Sequence, residues 1–107
     1  MKERRLFQRF KVNFPVNFSE LQSNKQGDGN MIDISAGGGG MIVTHLNLSP
    51  ETFLQLHLEI PDKLEPLHVK AKVVWTAQVG ADAYRIGVQF ENVDFIGLSR
   101  ALKFKTS

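Results

Sequence analysis

The sequence predicts an all-β fold, a six-stranded antiparallel β-barrel with one C-terminal α-helix. Three observations lead there. Apolar and polar residues alternate with a period of two in six separate segments. Each segment has a single apolar face, so a flat sheet would leave one side uncovered, whereas closure into a small barrel buries every apolar face at once. The period changes to that of a helix only in the tail, and 107 residues make one domain with one core.

The first strand is read over 11–21, with Val12, Phe14, Val16 and Phe18 inward and Pro15 marking an edge or kink. Residues 23–30, with Gly27 and Gly29, read as a turn-rich hairpin loop, and 31–35 as a short strand. Four glycines, Gly37 to Gly40, are expected to turn the chain before another short strand at 41–45. A strand over 53–60 shares Leu54, Leu56, Leu58 and Ile60 on one face and is closed by Pro61. The longest alternation places Leu67, Val69, Ala71, Val73, Trp75 and Ala77 on one side, opposite His68, Lys70 and Lys72. The last strand, 84–91, turns Ile86, Val88 and Phe90 inward and Arg85, Gly87 and Gln89 outward. Phe95, Leu98, Ala101 and Leu102 then recur at helical spacing, with Asn92 or Asp94 placed to cap, giving a helix over 93–105. The single domain therefore divides into an N-terminal arm, 1–10, a barrel, 11–91, and the helix.

Composition removes several classes of function. No cysteine is present, so disulfides, thiolate metal ligands and a nucleophilic thiol are excluded. No apolar run approaches the ~20 residues of a membrane span, and the basic start is followed by Gln8, Arg9, Lys11 and Asn13 rather than a signal-peptide core. A cytoplasmic protein is expected, with no membrane partner. The net charge is only +2, but Lys2, Arg4, Arg5, Arg9 and Lys11 stand against Glu3 alone, so the rest of the chain is slightly acidic. The motifs of nucleophile elbows, zinc proteases and Walker loops are missing. His45, His57 and His68 fall on or near polar faces and suit exposed side chains better than a metal site, so no metal, no cofactor and no catalytic residue is expected. A binding protein is the expected class.

Two clusters supply the candidate site. Arg5 and Arg9 stand four apart with Arg4 adjacent, in an arm that runs into the first strand. A guanidinium is planar and permanently charged, and its donor fork meets phosphate oxygens or the O6 and N7 edge of guanine. The second cluster is Asp33-Ile34-Ser35-Ala36-Gly37-Gly38. Alternation puts Asp33 and Ser35 on the outer face, with Ile32 and Ile34 on the inner one. A carboxylate there accepts from paired N–H donors such as the N1 and N2 edge of guanine, and a hydroxyl donates to phosphate. The glycines let a ligand approach main-chain N–H groups, while in isolation such a string is more often a serine turn ending in a glycine hairpin. Joined to the arginines, it calls for one ligand carrying both guanine and phosphate.

At these residues the chain resembles the PilZ domain family, bacterial receptors for cyclic di-GMP. The family's R-x-x-x-R motif reads here as Arg5 and Arg9, and its D/N-x-S-x-x-G motif as Asp33, Ser35 and Gly38. Val73-Val74-Trp75 and Arg85 to Phe90 look like its last two strands, so the resemblance spans nearly the whole chain. Gly39 departs from it, since members more often carry a larger apolar residue after the double glycine. The resemblance implies a PilZ-type barrel and a cyclic di-GMP site. In it Arg5 and Arg9 bind guanine edges and phosphate, Asp33 holds a guanine, Ser35 contacts phosphate or the adjacent base, and Gly38 shapes the turn, with Gly37 beside it among the ligand-binding residues. Arg4, just before the first motif arginine, resembles the basic residue of members that take an intercalated pair of ligands, which implies two cyclic di-GMP per chain.

A micromolar affinity corresponds to about −8 kcal/mol, while ordering each arm residue costs roughly 1–2 kcal/mol. An arm ordered only by ligand would therefore exceed the whole net affinity, so Phe7 and Phe10 are expected to pack on the barrel beforehand. The signal is expected to pass to a downstream protein or through a homodimer. The alternatives are a PilZ-like adaptor that binds no ligand, and a small barrel for single-stranded RNA or DNA. The latter requires exposed aromatics along a basic groove. With Trp75, Phe14, Phe18 and Phe90 read as inward, no DNA or RNA partner is expected.

Overall fold

The computed structural model describes residues 8–92 and 95–106. Six strands, β1 (Phe10–Glu20), β2 (Gln26–Ile34), β3 (Gly38–Thr44), β4 (Phe53–Leu58), β5 (Leu67–Gly80) and β6 (Ala83–Phe90), precede one helix, α1 (Phe95–Leu102). All strand pairs are antiparallel, and the order β1-β2-β3-β6-β5-β4 closes into a barrel where β1 pairs with β4. The barrel and the terminal helix are as the sequence predicts. Only the β3–β6 and β1–β4 neighbours require long connections, the rest being consecutive in the chain.

Inside lie Val12, Phe14, Val16 and Phe18 of β1, Leu54, Leu56 and Leu58 of β4, and Leu67, Val69, Ala71 and Val73 of β5, with Ile86, Val88 and Phe90 of β6. These are the residues that strict alternation selects. Each fully buried large apolar side chain contributes about 1.5–3 kcal/mol, so this one cluster carries the stability of a chain without disulfides.

Four features differ from the sequence reading. Residues 26–30 are strand rather than loop, so Gly27 lies opposite Phe18 in β2, where a Cβ would stand 2.6 Å from the Phe18 ring. Gly38, Gly39 and Gly40 likewise belong to β3 and not to the turn, which is confined to 35–37. No glycine among the described residues has a positive φ. These glycines serve close approach instead: a Cβ at Gly38 would run into the Val88 carbonyl, and one at Gly39 would meet the Asp33 carbonyl oxygen at 2.7 Å and the Met31 thioether at 2.8 Å. Met31 thus fills the volume where a larger side chain at 39 would sit.

Trp75 is the third difference. The β5–β6 register shifts between Val73 and Trp75, which moves Trp75 to the outer face, 39% exposed, with its indole lying on Gly87. Finally, α1 ends at Leu102 rather than at 105, and 93–94, with the expected cap Asp94, lie outside the described residues. Its packed side is Gly97 and Ala101 with Leu98 and Leu102, whereas Phe95 is 75% exposed. After α1 the chain turns back, and Thr106 bridges to Lys11 at the start of β1, its N–H donating to the Lys11 carbonyl at 2.7 Å.

Arg100 fastens α1 to the β4–β5 loop. Its Nε donates to Asp62 Oδ2 at 2.7 Å, and its Nη2 to Asp62 Oδ1 at 3.1 Å and to the Glu65 carbonyl at 2.7 Å. The Arg100 hydrogen bond, together with the Leu64 N–H, holds the Asp62 carboxyl at about 2. Because this pKa lies below the unfolded value, the unfolded chain takes up the proton first as pH falls. The clip's contribution is complete above about pH 4 and is lost as pH falls through about 2. Urea denaturation of Arg100→Met is therefore expected to give a flatter stability profile than wild type between those limits. In the same assay Gly38→Ala, blocked by a backbone carbonyl, should cost about 1–3 kcal/mol. Gly80→Ala, whose Cβ would meet only Ala83 at 3.4 Å, should stay within about 0.5 kcal/mol.

Candidate functional site

Asp33 is the centre of the site. In β2 the register against β3 shifts by one residue, since Met31 pairs with Met41 but Asp33 with Gly40. The extra residue, Ile32, does not join the core as alternation predicts; it is half-buried and lines the cleft beside Asp33, while Met31 and Ile34 point inward. The shift leaves Asp33 on the outer side of the wall, opposite Lys11 of β1 and Gly40 of β3.

The carboxylate is not presented in the open. Asp33 is only 8% exposed, because Arg9 and Arg85 close over it. Arg9 Nη1 stands 3.3 Å from Oδ1, and Arg85 Nη2 donates to Oδ2 at 3.1 Å. Gly40 makes this possible, since a Cβ there would stand 2.9 Å from Oδ2. One anion between two permanent cations leaves a net positive site, and Lys11 adds to it. Arg9, Phe10, Lys11, Ile32, Asp33 and Arg85 line a cleft of about 450 Å³. A second cleft of about 440 Å³, between Asn17 and His57, includes the carboxylate of Asp28 and no arginine or lysine, so it lacks a permanent cation for a phosphate.

Ser35 is placed differently from expectation. It is buried, and its hydroxyl both donates to the Gly38 carbonyl and accepts from the Gly37 N–H, each at 3.3 Å. Its own N–H donates to the same Gly38 carbonyl at 2.8 Å. The hydroxyl closes the serine turn that ends β2, and it does not line the Asp33 cleft. Gly37 and Gly38 hold that turn against β6, where the Phe90 N–H donates to the Gly37 carbonyl at 2.9 Å. Arg4 and Arg5, like Phe7, lie outside the described residues.

The structure thus brings together Arg9 and Asp33 of the expected set and adds Lys11 and Arg85, which the sequence reading left out. Alternation already set Arg85 outward; what it could not give was the neighbour. Gly87 pairs with Gly40 across β6 and β3, and Arg85, two residues along β6, reaches over this bare stretch to Asp33. Trp75 leans onto Gly87 from the opposite side, so the Asp33, Gly40, Gly87 and Trp75 positions form one row across four strands. Among the described residues no three His, Cys, Asp or Glu side chains cluster as metal ligands. His57 and His68 instead face each other edge to face at 4.4 Å, and His45 pairs with Asp82.

No curated protein matches the chain by sequence. Among solved structures, the fold is similar to the PilZ domain of YcgR from Escherichia coli with c-di-GMP. The TM-score is 0.75 at 16% identity, over 95% of this chain and 92% of that one. It is also similar to the Bacillus subtilis inhibitor of motility MotI, with TM-score 0.73 at 14% identity over 95% of this chain. The MrkH–c-di-GMP complex of K. pneumonia aligns with TM-score 0.71 at 18% identity over 96% of this chain. The chain spans about half the length of the MotI and MrkH chains, 50% and 51%. The PilZ domain family model matches residues 3–103, and the chain belongs to that family.

Proposed function

We propose that this chain is a cyclic di-GMP receptor in which the N-terminal arginine arm and the Asp33 wall grip the ligand and a partner protein reads the result. The observation that carries it is the buried Asp33 carboxylate flanked by Arg9 at the mouth of a positive cleft. The carboxylate suits the N1 and N2 donors of guanine, and the guanidinium suits a phosphate or the guanine O6 and N7 edge. Support comes from the family and from the YcgR and MrkH structures, which hold c-di-GMP. Phe10 is the first residue of β1, half-buried and opposite Ile34, so Arg9 projects from an anchored point rather than from a free arm. The C-terminal segment is stitched to Lys11, the residue opposite Asp33, which gives α1 a direct connection to the site.

The nucleic-acid alternative draws less support. Trp75 is exposed, contrary to the sequence reading, but Phe14, Phe18 and Phe90 are buried, and an aromatic-lined basic groove needs several stacking platforms.

Isothermal titration with cyclic di-GMP is expected to show micromolar binding, with no response to cyclic di-AMP. Arg9→Ala and Asp33→Ala should each lose at least about tenfold, the value of one charge-assisted hydrogen bond. Equal binding of the adenine analogue would remove the base-reading role of Asp33. With Arg4 ahead of Arg5, the titration is expected to saturate at two ligands per chain, and saturation at one would reject the paired-ligand arrangement.

A further inference from the structure

Asp33 and Arg85 leave a mismatch. Their ion pair is made by a single hydrogen bond, Arg85 Nη2 to Asp33 Oδ2 at 3.1 Å, although a guanidinium and a carboxylate can form two. Among the described residues, the buried atoms Asp33 Oδ1 and Arg85 Nε have no hydrogen-bond partner. Oδ1 keeps the Arg9 guanidinium 3.3 Å away as an ion-pair partner, whereas no partner faces Arg85 Nε, and a buried donor left so calls for an acceptor. Asp33 alone would ask for donors; the Nε of Arg85 asks for an acceptor as well.

Position separates Arg85 from Arg9. Arg9 precedes β1, at the end of the arm, whereas Arg85 lies within β6, paired on one side with Ile42 of β3 and on the other with Ala77 of β5. Its backbone is fixed by the barrel and its side chain, 41% exposed, reaches the cleft that Arg9 enters from the opposite edge. We propose that Arg85 is a phosphate-binding residue of this site, the barrel-borne half of a clamp whose arm-borne half is Arg9. The inference rests on the cyclic di-GMP reading above. When guanine donors engage Asp33, the guanidinium beside it turns its idle donors to the phosphodiester. Because the strand is already ordered, this contact carries little of the ordering cost that the arm must meet.

The test titrates cyclic di-GMP into wild type, Arg85→Met and Arg85→Lys at about 0.05 M and about 0.5 M salt, where screening differs severalfold in range. Circular dichroism first confirms that each variant is folded. Arg85→Met, which keeps the apolar stem, is expected to bind about tenfold more weakly at low salt, with the gap narrowing at high salt. Arg85→Lys is expected to recover most of the loss, since lysine serves phosphate as a point charge. A loss that is equal at both salts and is not recovered by lysine would show that Arg85 only props Asp33, and would overturn the proposal. Unchanged or tighter binding by Arg85→Met would overturn it too. If wild type itself ignores cyclic di-GMP, the receptor reading falls and this inference with it; a binding wild type with an indifferent Arg85 removes the inference alone.

Discussion

A carboxylate drawn below the surface between two guanidinium groups is the constraint on which this face of the barrel depends. Burying an unpaired ionised carboxylate would cost several kcal/mol, so Asp33 can occupy its place only with cations supplied by other strands. Arg9 comes from the start of β1 and Arg85 from β6, and the two reach it from opposite sides. The local backbone is shaped to allow that meeting. The one-residue shift at Ile32 turns Asp33 outward, the absence of a side chain at Gly40 makes room for Oδ2, and the Ser35 turn ends β2 just beyond.

The glycines of β3 and β6 are best understood as clearances. Gly38 passes under the Val88 carbonyl, Gly39 under the Met31 sulfur, Gly40 under Asp33 and Gly87 under Trp75. Two side chains, one acidic and one aromatic, therefore lean over bare backbone from either side of the β3–β6 pair. That pairing is one of the two steps in the barrel order that join distant parts of the sequence, so the site is assembled by topology as much as by motif.

The inner faces of β1, β4 and β6, and of β5 up to Val73, were legible because burial alternates along each, in β1 from Val12 through Phe18 despite the register shift against β2 between Lys11 and Phe14, and period two then decides direction. Reading failed where a register shift broke the period: at Ile32, which left the core, and at Trp75, which moved outside. Gly27, Gly38, Gly39 and Gly40 were misread as turn formers because a glycine required for close approach looks the same in sequence as one required for a turn. The acid of the site was legible from its spacing to the arginines. Arg85 was not, because its role depends on which strand lies beside β6, and alternation carries no such information. Ser35 was legible as a residue of importance, but its hydroxyl is engaged by Gly37 and Gly38 rather than aimed at the cleft.

The central claim is that Asp33 accepts the N1 and N2 protons of a guanine, and proton NMR of the ligand-saturated chain addresses that bond itself. The account predicts a guanine imino resonance shifted downfield and protected from solvent exchange, with cross-peaks to Asp33 that vanish in Asp33→Ala. An imino proton exchanging as freely as in the unbound nucleotide, with the Asp33 resonances unmoved on saturation, would contradict it.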